Sequence, residues 1–172
     1  MPIPESLPVP DVNAQHDVPE RVHQHARVRV GTPADAPALI PLFAEHAAYE
    51  KLPFTDAGTA ARIASLLDGP DPRLAVWVVE AAGVLVGYAA VSRELSTWAA
   101  ADYLHLDCLF VSSTHRGQGW GALLLTRARE HARSLGLTKL QWQTPPWNEG
   151  ALGFYRREGA TTRDKVRCYL DA

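Results

Sequence analysis

Apolar and polar positions along this chain switch repeatedly between two periods, and the switches mark its elements. Val28 and Val30 alternate with arginines, as in a short strand with one buried face. Thr32-Pro33 then offers an N-cap and a first-turn proline. Leu39, Leu42, Phe43 and His46 recur on one helical stripe, which predicts a helix running to about Tyr49. Pro41 lies inside that helix and is expected to kink it, because it removes an intrahelical hydrogen bond. His46 reads as a helix-face histidine. A second short helix is predicted from Ala57 to Leu67, stopped by Asp68-Gly69-Pro70-Asp71-Pro72.

Leu74 to Val91 is the one stretch long enough to suggest a membrane span. Glu80 interrupts it, however, and Ala82-Gly83 reads as a turn between two β-branched runs. Two adjacent buried strands explain it better, at about Leu74 to Glu80 and Val84 to Arg93, followed by a third at Tyr103 to Val111. The next apolar stripe is helical, with Leu124, Ala128, Ala132 and Leu135 facing inward and Gly136 as its stop. A strand at Lys139 to Gln143, a helix at about Glu149 to Glu158 and a final strand near Lys165 to Leu170 complete the pattern. The order β-α-α-β-β-β-α-β-α-β specifies a mixed α/β fold.

Residues 1–26 stand apart. They are rich in proline (Pro2, Pro4, Pro8, Pro10, Pro19) and polar residues without either period, and read as a flexible arm ahead of one domain over 27–172. The histidines of this arm, His16, His23 and His25, receive no role.

Composition narrows the class without naming it. A chain of 172 residues with 47% hydrophobic and 21% charged residues suits a single-core soluble domain. Lys and Arg number 17 against 19 Asp and Glu, a net charge of -2, so nothing favours nucleic acid globally and any acidic ligand must be held locally. Cys108 and Cys168 are the only cysteines, with no paired zinc spacing, so neither a metal site nor a disulfide framework is expected. The N-terminus lacks a basic segment followed by an apolar core, and a cytoplasmic location is the default expectation.

The chemistry concentrates at Arg116-Gly117-Gln118-Gly119-Trp120-Gly121, which follows an apolar strand and opens a helix. Glycines there let backbone N–H groups close on a phosphate at the positive end of a helix. The dinucleotide pattern G-x-G-x-x-G fails at Ala122 and lacks the acidic residue some 20 positions later, and no G-x-x-x-x-G-K-[ST] string occurs. Taken alone, the cluster is either an anion cradle or a tight strand-to-helix turn.

Its neighbours extend the pattern. Asp107-Cys108-Leu109-Phe110-Val111 precedes it; Trp147-Asn148 and Phe154-Tyr155 before Gly159-Ala160 follow it. This combination resembles the GCN5-related N-acetyltransferase (GNAT) superfamily over about Val28 to Leu170. Within it the chain looks most like the diamine (polyamine and thialysine) acetyltransferase branch, which also closes its first helix with a Tyr-Glu pair, as Tyr49-Glu50 does here. The resemblance implies a mostly antiparallel central sheet with flanking helices, a homodimer, and acetyl-CoA as co-substrate.

What the resemblance implies residue by residue agrees with elementary chemistry. Arg116 and the N–H groups over Gly117, Gln118, Gly119, Trp120 and Gly121 suit a pyrophosphate. Backbone groups of Leu109, Phe110 and Val111 suit an amide-rich pantetheine arm added as a pseudo-strand. Amide formation needs a neutral amine, a stabilised oxyanion and a protonated leaving thiolate. Asp107 stands where the family places a carboxylate base, acting directly or through water, with His105 two residues earlier on the same face. The N–H near Leu109 is placed to polarise the acetyl carbonyl, and Tyr155 matches the general acid. Asn148 caps its helix, contacts the coenzyme, or does both.

The acceptor is less constrained. Tyr49 and Glu50 suit a cationic amine with a methylene chain, and Trp142 and Trp147 line the pocket or fill the core. Cys108 stands where polyamine enzymes carry a second acid, which weakens a polyamine acceptor relative to a smaller amine or an amino acid side chain. The expected activity is acetyl transfer to a primary amine of a small molecule by direct attack in a ternary complex. The alternatives are a coenzyme A-binding regulatory module without turnover and a protein or peptide N-acetyltransferase.

Overall fold

The computed structural model describes residues 26–69, 73–168 and 170. The predicted arm lies outside them except for Ala26, which opens the first strand. In chain order the elements are β1 (Ala26–Val30), a 3-10 turn (Pro33–Asp35), α1 (Ala36–Tyr49), α2 (Thr59–Leu67), β2 (Ala75–Ala81), β3 (Val84–Ser96) and β4 (Ala101–Val111). A second 3-10 turn (Ser113–His115), α3 (Trp120–Ser134), β5 (Leu140–Gln141) and α4 (Glu149–Arg157) follow. The strands form one sheet in sequential order, antiparallel throughout except for the parallel β4–β5 pair.

Local chemistry fixes the joints. Ala82 and Gly83 both take positive φ, 49° and 80°, as a two-residue hairpin turn between right-twisted strands requires. Asp35 ties β1 to the entry of α1. Its carboxylate accepts from both Arg29 guanidinium nitrogens at 2.8 and 2.7 Å and from the Thr32 N–H at 2.8 Å, while Arg29 Nε donates to Glu80 on β2 at 2.6 Å. Pro41 lies inside an unbroken α1 on its exposed side.

Two cores flank the sheet. On one face Trp77, Val79, Val86, Val91, Leu104 and Leu106 pack against Trp120, Leu124, Ala128 and Ala132 of α3 and Tyr155 of α4. On the other, Val76, Val78, Leu85, Tyr88 and Phe110 pack against Leu39 and Leu42 of α1. Leu135 departs from its predicted inward position: it is the C-cap of α3, 43% exposed, and Leu125 takes the buried place.

The hairpin β3–β4 runs further than predicted, and β5 is reduced to two residues. The predicted last strand does not form: residues 161–168 have no regular structure, and Val166 and Leu170 are 89% and 96% exposed. Tyr169 lies outside the described residues. A two-residue β5 offers too short an edge for this segment to pair with.

Candidate functional site

The site begins with a fault in β4. Ala90 pairs with Cys108 but Val91 pairs with Leu106, so Asp107 is an extra residue, a β-bulge. The bulge inverts the alternation: Leu104 and Leu106 face α3, whereas beyond it Cys108 and Phe110 face α1. It also puts Asp107 and Cys108 together, with Cys108 Sγ 3.5 Å from Asp107 Oδ2.

The strand after the bulge has an open edge. β5 pairs with β4 only at Leu104–Leu140 and His105–Gln141. The Ser112 N–H donates to the Val86 carbonyl at 2.9 Å. Because groups facing a given neighbour alternate along an antiparallel strand, those of Phe110 face β3, and those of Leu109 and Val111 face the gap. The Val111 carbonyl there accepts from Arg116 Nε at 2.9 Å.

The glycine loop closes the far end of this gap. Gly117 and Gly119 have φ of 74° and 86°, and a Cβ at either would meet nothing within 4 Å, so it is backbone conformation rather than crowding that demands glycine. Gly119 is the N-cap of α3, which no side chain caps. Gly121 packs under the Phe154 ring. Trp120 is 6% exposed, with its ring in the core and its indole N–H donating to Gln118 Oε1 at 3.2 Å, so only its backbone belongs to the loop surface. The Arg116 guanidinium lies over the Tyr49 and Phe110 rings, 4.7 and 5.4 Å from their centroids, instead of standing free above the loop.

The end of α1 and the helix α4 supply the remaining groups. Asn148, 6% exposed, caps α4 by accepting the Ala151 N–H at 3.1 Å, and the same oxygen accepts the Tyr49 hydroxyl at 3.0 Å. That bond joins the end of α1 to the start of α4. Tyr155, in the last turn of α4, is 7% exposed and packs on Trp142 and Phe154 at 5.0 and 5.2 Å. Trp142 therefore braces Tyr155 from the core side. Burial, then the charges of Glu50 and Cys108, push the Tyr155 phenol up to about 12.

Tyr88 and Glu45, which the sequence left without a role, and His46, read there as a helix-face histidine, join this cluster. Tyr88, 1% exposed on β3, meets His46 Nδ1 at 2.9 Å, and the His46 ring stacks on Phe110 at 4.8 Å. His46 Nε2 lies 3.5 Å from Glu50 Oε1, one helical turn on. Burial lowers the His46 pKa against the opposing pull of Glu50. Glu45 accepts the Ser112 hydroxyl at 2.8 and 2.9 Å and so fixes α1 to the end of β4. The i,i+4 spacing of His46 and Glu50 was the signal available in the sequence.

His105 Nε2 is 3.9 Å from Asp107 Oδ1, and the Asp107 side chain is 57% exposed. Trp147 is 46% exposed beside Tyr49 and beneath Lys51 Nζ. Among the described residues no group of three or more His, Cys, Asp or Glu could hold a metal ion, and no helix is long and apolar enough to cross a membrane.

Residues 40–160 match the model of the acetyltransferase (GNAT) family. The chain belongs to this family. Among curated relatives of this GNAT protein is a thialysine N-epsilon-acetyltransferase of Caenorhabditis elegans, 29% identical over 72% of this chain and 76% of that protein. An L-ornithine N5-acetyltransferase of Arabidopsis thaliana is 23% identical over 91% of this chain and 86% of its own length. A D-amino-acid N-acetyltransferase of Saccharomyces cerevisiae is 24% identical over 88% and 94%. The resemblance to the diamine and thialysine branch is thus carried by relatives as well as by motifs. In solved structures the fold recurs in an aminoglycoside N-acetyltransferase in complex with CoA, with a TM-score of 0.72 at 18% identity over 86% of this chain and 95% of that one. The GNAT protein is an acetyltransferase enzyme, and its relatives acetylate amines.

Proposed function

We propose that this enzyme moves an acetyl group from acetyl-CoA to the primary amine of a small molecule by direct attack in a ternary complex. The observation that carries the reading is the convergence on one gap in the sheet of an open β4 edge, a glycine-opened helix N-terminus, a carboxylate on a bulge and a buried tyrosine.

The chain fits the acyl donor by its own geometry. Leu109 and Val111 aim backbone groups off the β4 edge beyond its pairing with β5, an unpaired edge suited to an amide-bearing arm. The positive-φ glycines 117 and 119 open the dipole end of α3 to a pyrophosphate. When bound, acetyl-CoA supplies an electrophilic thioester carbonyl and a thiolate leaving group. The Leu109 N–H polarises that carbonyl at the point where β4 bends. Tyr155 carries its proton throughout the neutral range and donates toward the departing sulfur. Asn148, held by Tyr49, keeps the α4 N-terminus in place beside it. Asp107 receives the proton that the acceptor ammonium must lose; its exposure and short side chain favour an indirect route over direct contact.

The acceptor is drawn by Glu50 and packed by Tyr49. A small amino acid or diamine with a side-chain amine suits this pair, in keeping with the thialysine, ornithine and D-amino acid named for relatives. The test is initial-rate thiol release with acetyl-CoA and the amines of such a panel varied together. Intersecting lines support direct transfer, and parallel lines would instead require an acetyl-enzyme.

A further inference from the structure

We propose that His46 is a positioning residue for the acceptor: braced by Tyr88, it turns its Nε2–H to Glu50 and steadies that carboxylate for an ammonium without cancelling its charge. The inference rests on the reading above in which Glu50 draws the amine, and concerns how that carboxylate is held.

Glu50 stands in a costly place for an anion. It is the C-cap of α1, where the negative end of the helix dipole opposes a carboxylate, and its side chain is only 29% exposed. The group within ion-pair reach is a histidine rather than a lysine or arginine: His46 Nε2 lies 3.5 Å from Glu50 Oε1, one helical turn back. An anion so placed is relieved by a cation from outside the chain, which is what an amine acceptor brings.

The contacts of His46 select its tautomer. Its Nδ1 is 2.9 Å from the hydroxyl of Tyr88, a side chain only 1% exposed whose O–H needs a partner inside the protein. A proton on Nδ1 would turn the bare Nε2 lone pair toward the carboxylate. A proton on Nε2 instead turns an N–H toward Glu50 and leaves Nδ1 to accept the Tyr88 O–H, so both contacts are favourable. Stacking on Phe110, with centroids 4.8 Å apart and planes 20° from parallel, holds the ring in that orientation.

At 3.5 Å the Nε2–H contact is longer than a full hydrogen bond, and it acts on Glu50 as a fixed dipole. Burial lowers the His46 pKa, so the ring is neutral at neutral pH. The other charges that face it, Asp107 on β4 and Arg116 ahead of α3, pull in opposite directions. A lysine or arginine in this place would satisfy Glu50 and close the site to a cation. A neutral imidazole orients the carboxylate and leaves its whole charge for the acceptor.

Two measurements on the full chain test the role. Imidazole ¹⁵N spectra of the free wild-type protein report the tautomer; Nε2–H with Nδ1 bare is expected, and a dominant Nδ1–H form overturns the proposal whether or not any amine is turned over. Initial rates then compare wild type, His46→Phe, which keeps a ring on Phe110, His46→Gln, whose amide restores an N–H toward Glu50, Glu50→Ala, and the His46→Phe, Glu50→Ala double variant, with melting curves for each. His46→Phe is expected to raise KM for the amine about five- to tenfold, with kcat and KM for acetyl-CoA little changed, and His46→Gln to recover most of the loss. In the Glu50→Ala background His46→Phe adds no further loss, because its effect passes through the carboxylate. An equal loss in both backgrounds, a fall in kcat alone, or no loss overturns the role. Absence of turnover by wild type with every amine refutes the acetyl-transfer reading instead, and the tautomer still decides the arrangement of His46.

Discussion

Replacing Tyr155 by Phe separates chemistry from packing. The ring sits between Trp142 and Phe154, contacts that the variant keeps. Among the described residues no hydrogen bond ties its hydroxyl to the protein, and no buried side-chain oxygen lacks a partner, so that hydroxyl reaches solvent. Removing it leaves the fold within about 0.5 kcal/mol of wild type. Loss of a positioned general acid costs about 10²–10⁴-fold in kcat, or roughly 3–5 kcal/mol in the barrier. The pKa of about 12 sharpens the expectation. Tyr155 holds its proton below that pH, so no alkaline limb in kcat below about pH 11 belongs to it. A free thiol titrates near 8.5, so complete transfer from such a phenol is uphill by roughly 5 kcal/mol. Glu50 is the largest charge raising the Tyr155 pKa, so a cationic acceptor docked on Glu50 offsets that charge and makes Tyr155 a better donor when it is needed. The assay is steady-state thiol release with wild type and Tyr155→Phe, with melting curves beside it. An activity within about threefold of wild type would refute the role. A melting point lowered by more than about 3 °C would reassign the residue to packing.

Gly119→Ala tests the phosphate cradle. With φ at 86° and open space around a Cβ, the change costs about 1–2 kcal/mol of backbone strain without a clash. Calorimetry is expected to show weaker coenzyme A binding in proportion to loop distortion, and unchanged affinity would argue that the loop is only a turn. Asp35→Ala tests the fold's anchor at β1. It removes charge-assisted bonds from Arg29 and the Thr32 N–H, and about 2 kcal/mol is expected from thermal or urea unfolding. The Arg29 guanidinium holds the Asp35 carboxyl well below the usual carboxylate range. Its contribution is therefore full above about pH 4, the unfolded value, and is lost as the pH falls through the lower folded value. The gap between wild type and variant narrows in acid.

Much of this architecture is legible in the sequence because periodicity reports burial. The α1 stripe at Leu39 and Leu42, the β2–β3 hairpin with its Ala82-Gly83 turn and the α3 stripe at Leu124, Ala128 and Ala132 all follow from it. The bulge at Asp107 does not, since an inserted residue in an otherwise apolar strand leaves no local mark, and its consequence is a reversal of which face Cys108 and Phe110 occupy. Arg116 reads as a phosphate ligand by its place beside the glycines, yet its guanidinium is drawn over two aromatic rings. Tyr88 reads as one more apolar strand residue, and only the tertiary approach of His46 turns it into a polar partner. The final strand fails for a similar reason, because pairing depends on an edge that β5 is too short to provide.

In this reading the open β4 edge beyond its pairing with β5 is where an acetyl donor meets an amine. Mass spectrometry after incubation of the protein with acetyl-CoA and a panel of lysine, thialysine, ornithine, putrescine and D-amino acids tests it most directly, with small molecules and intact protein read from the same mixture. One acetyl group is expected on an amine nitrogen of at least one member, dependent on Tyr155, with none accumulating on the protein. Coenzyme binding with no acetylated amine in any mixture, or an acetyl group retained on the chain, would contradict it.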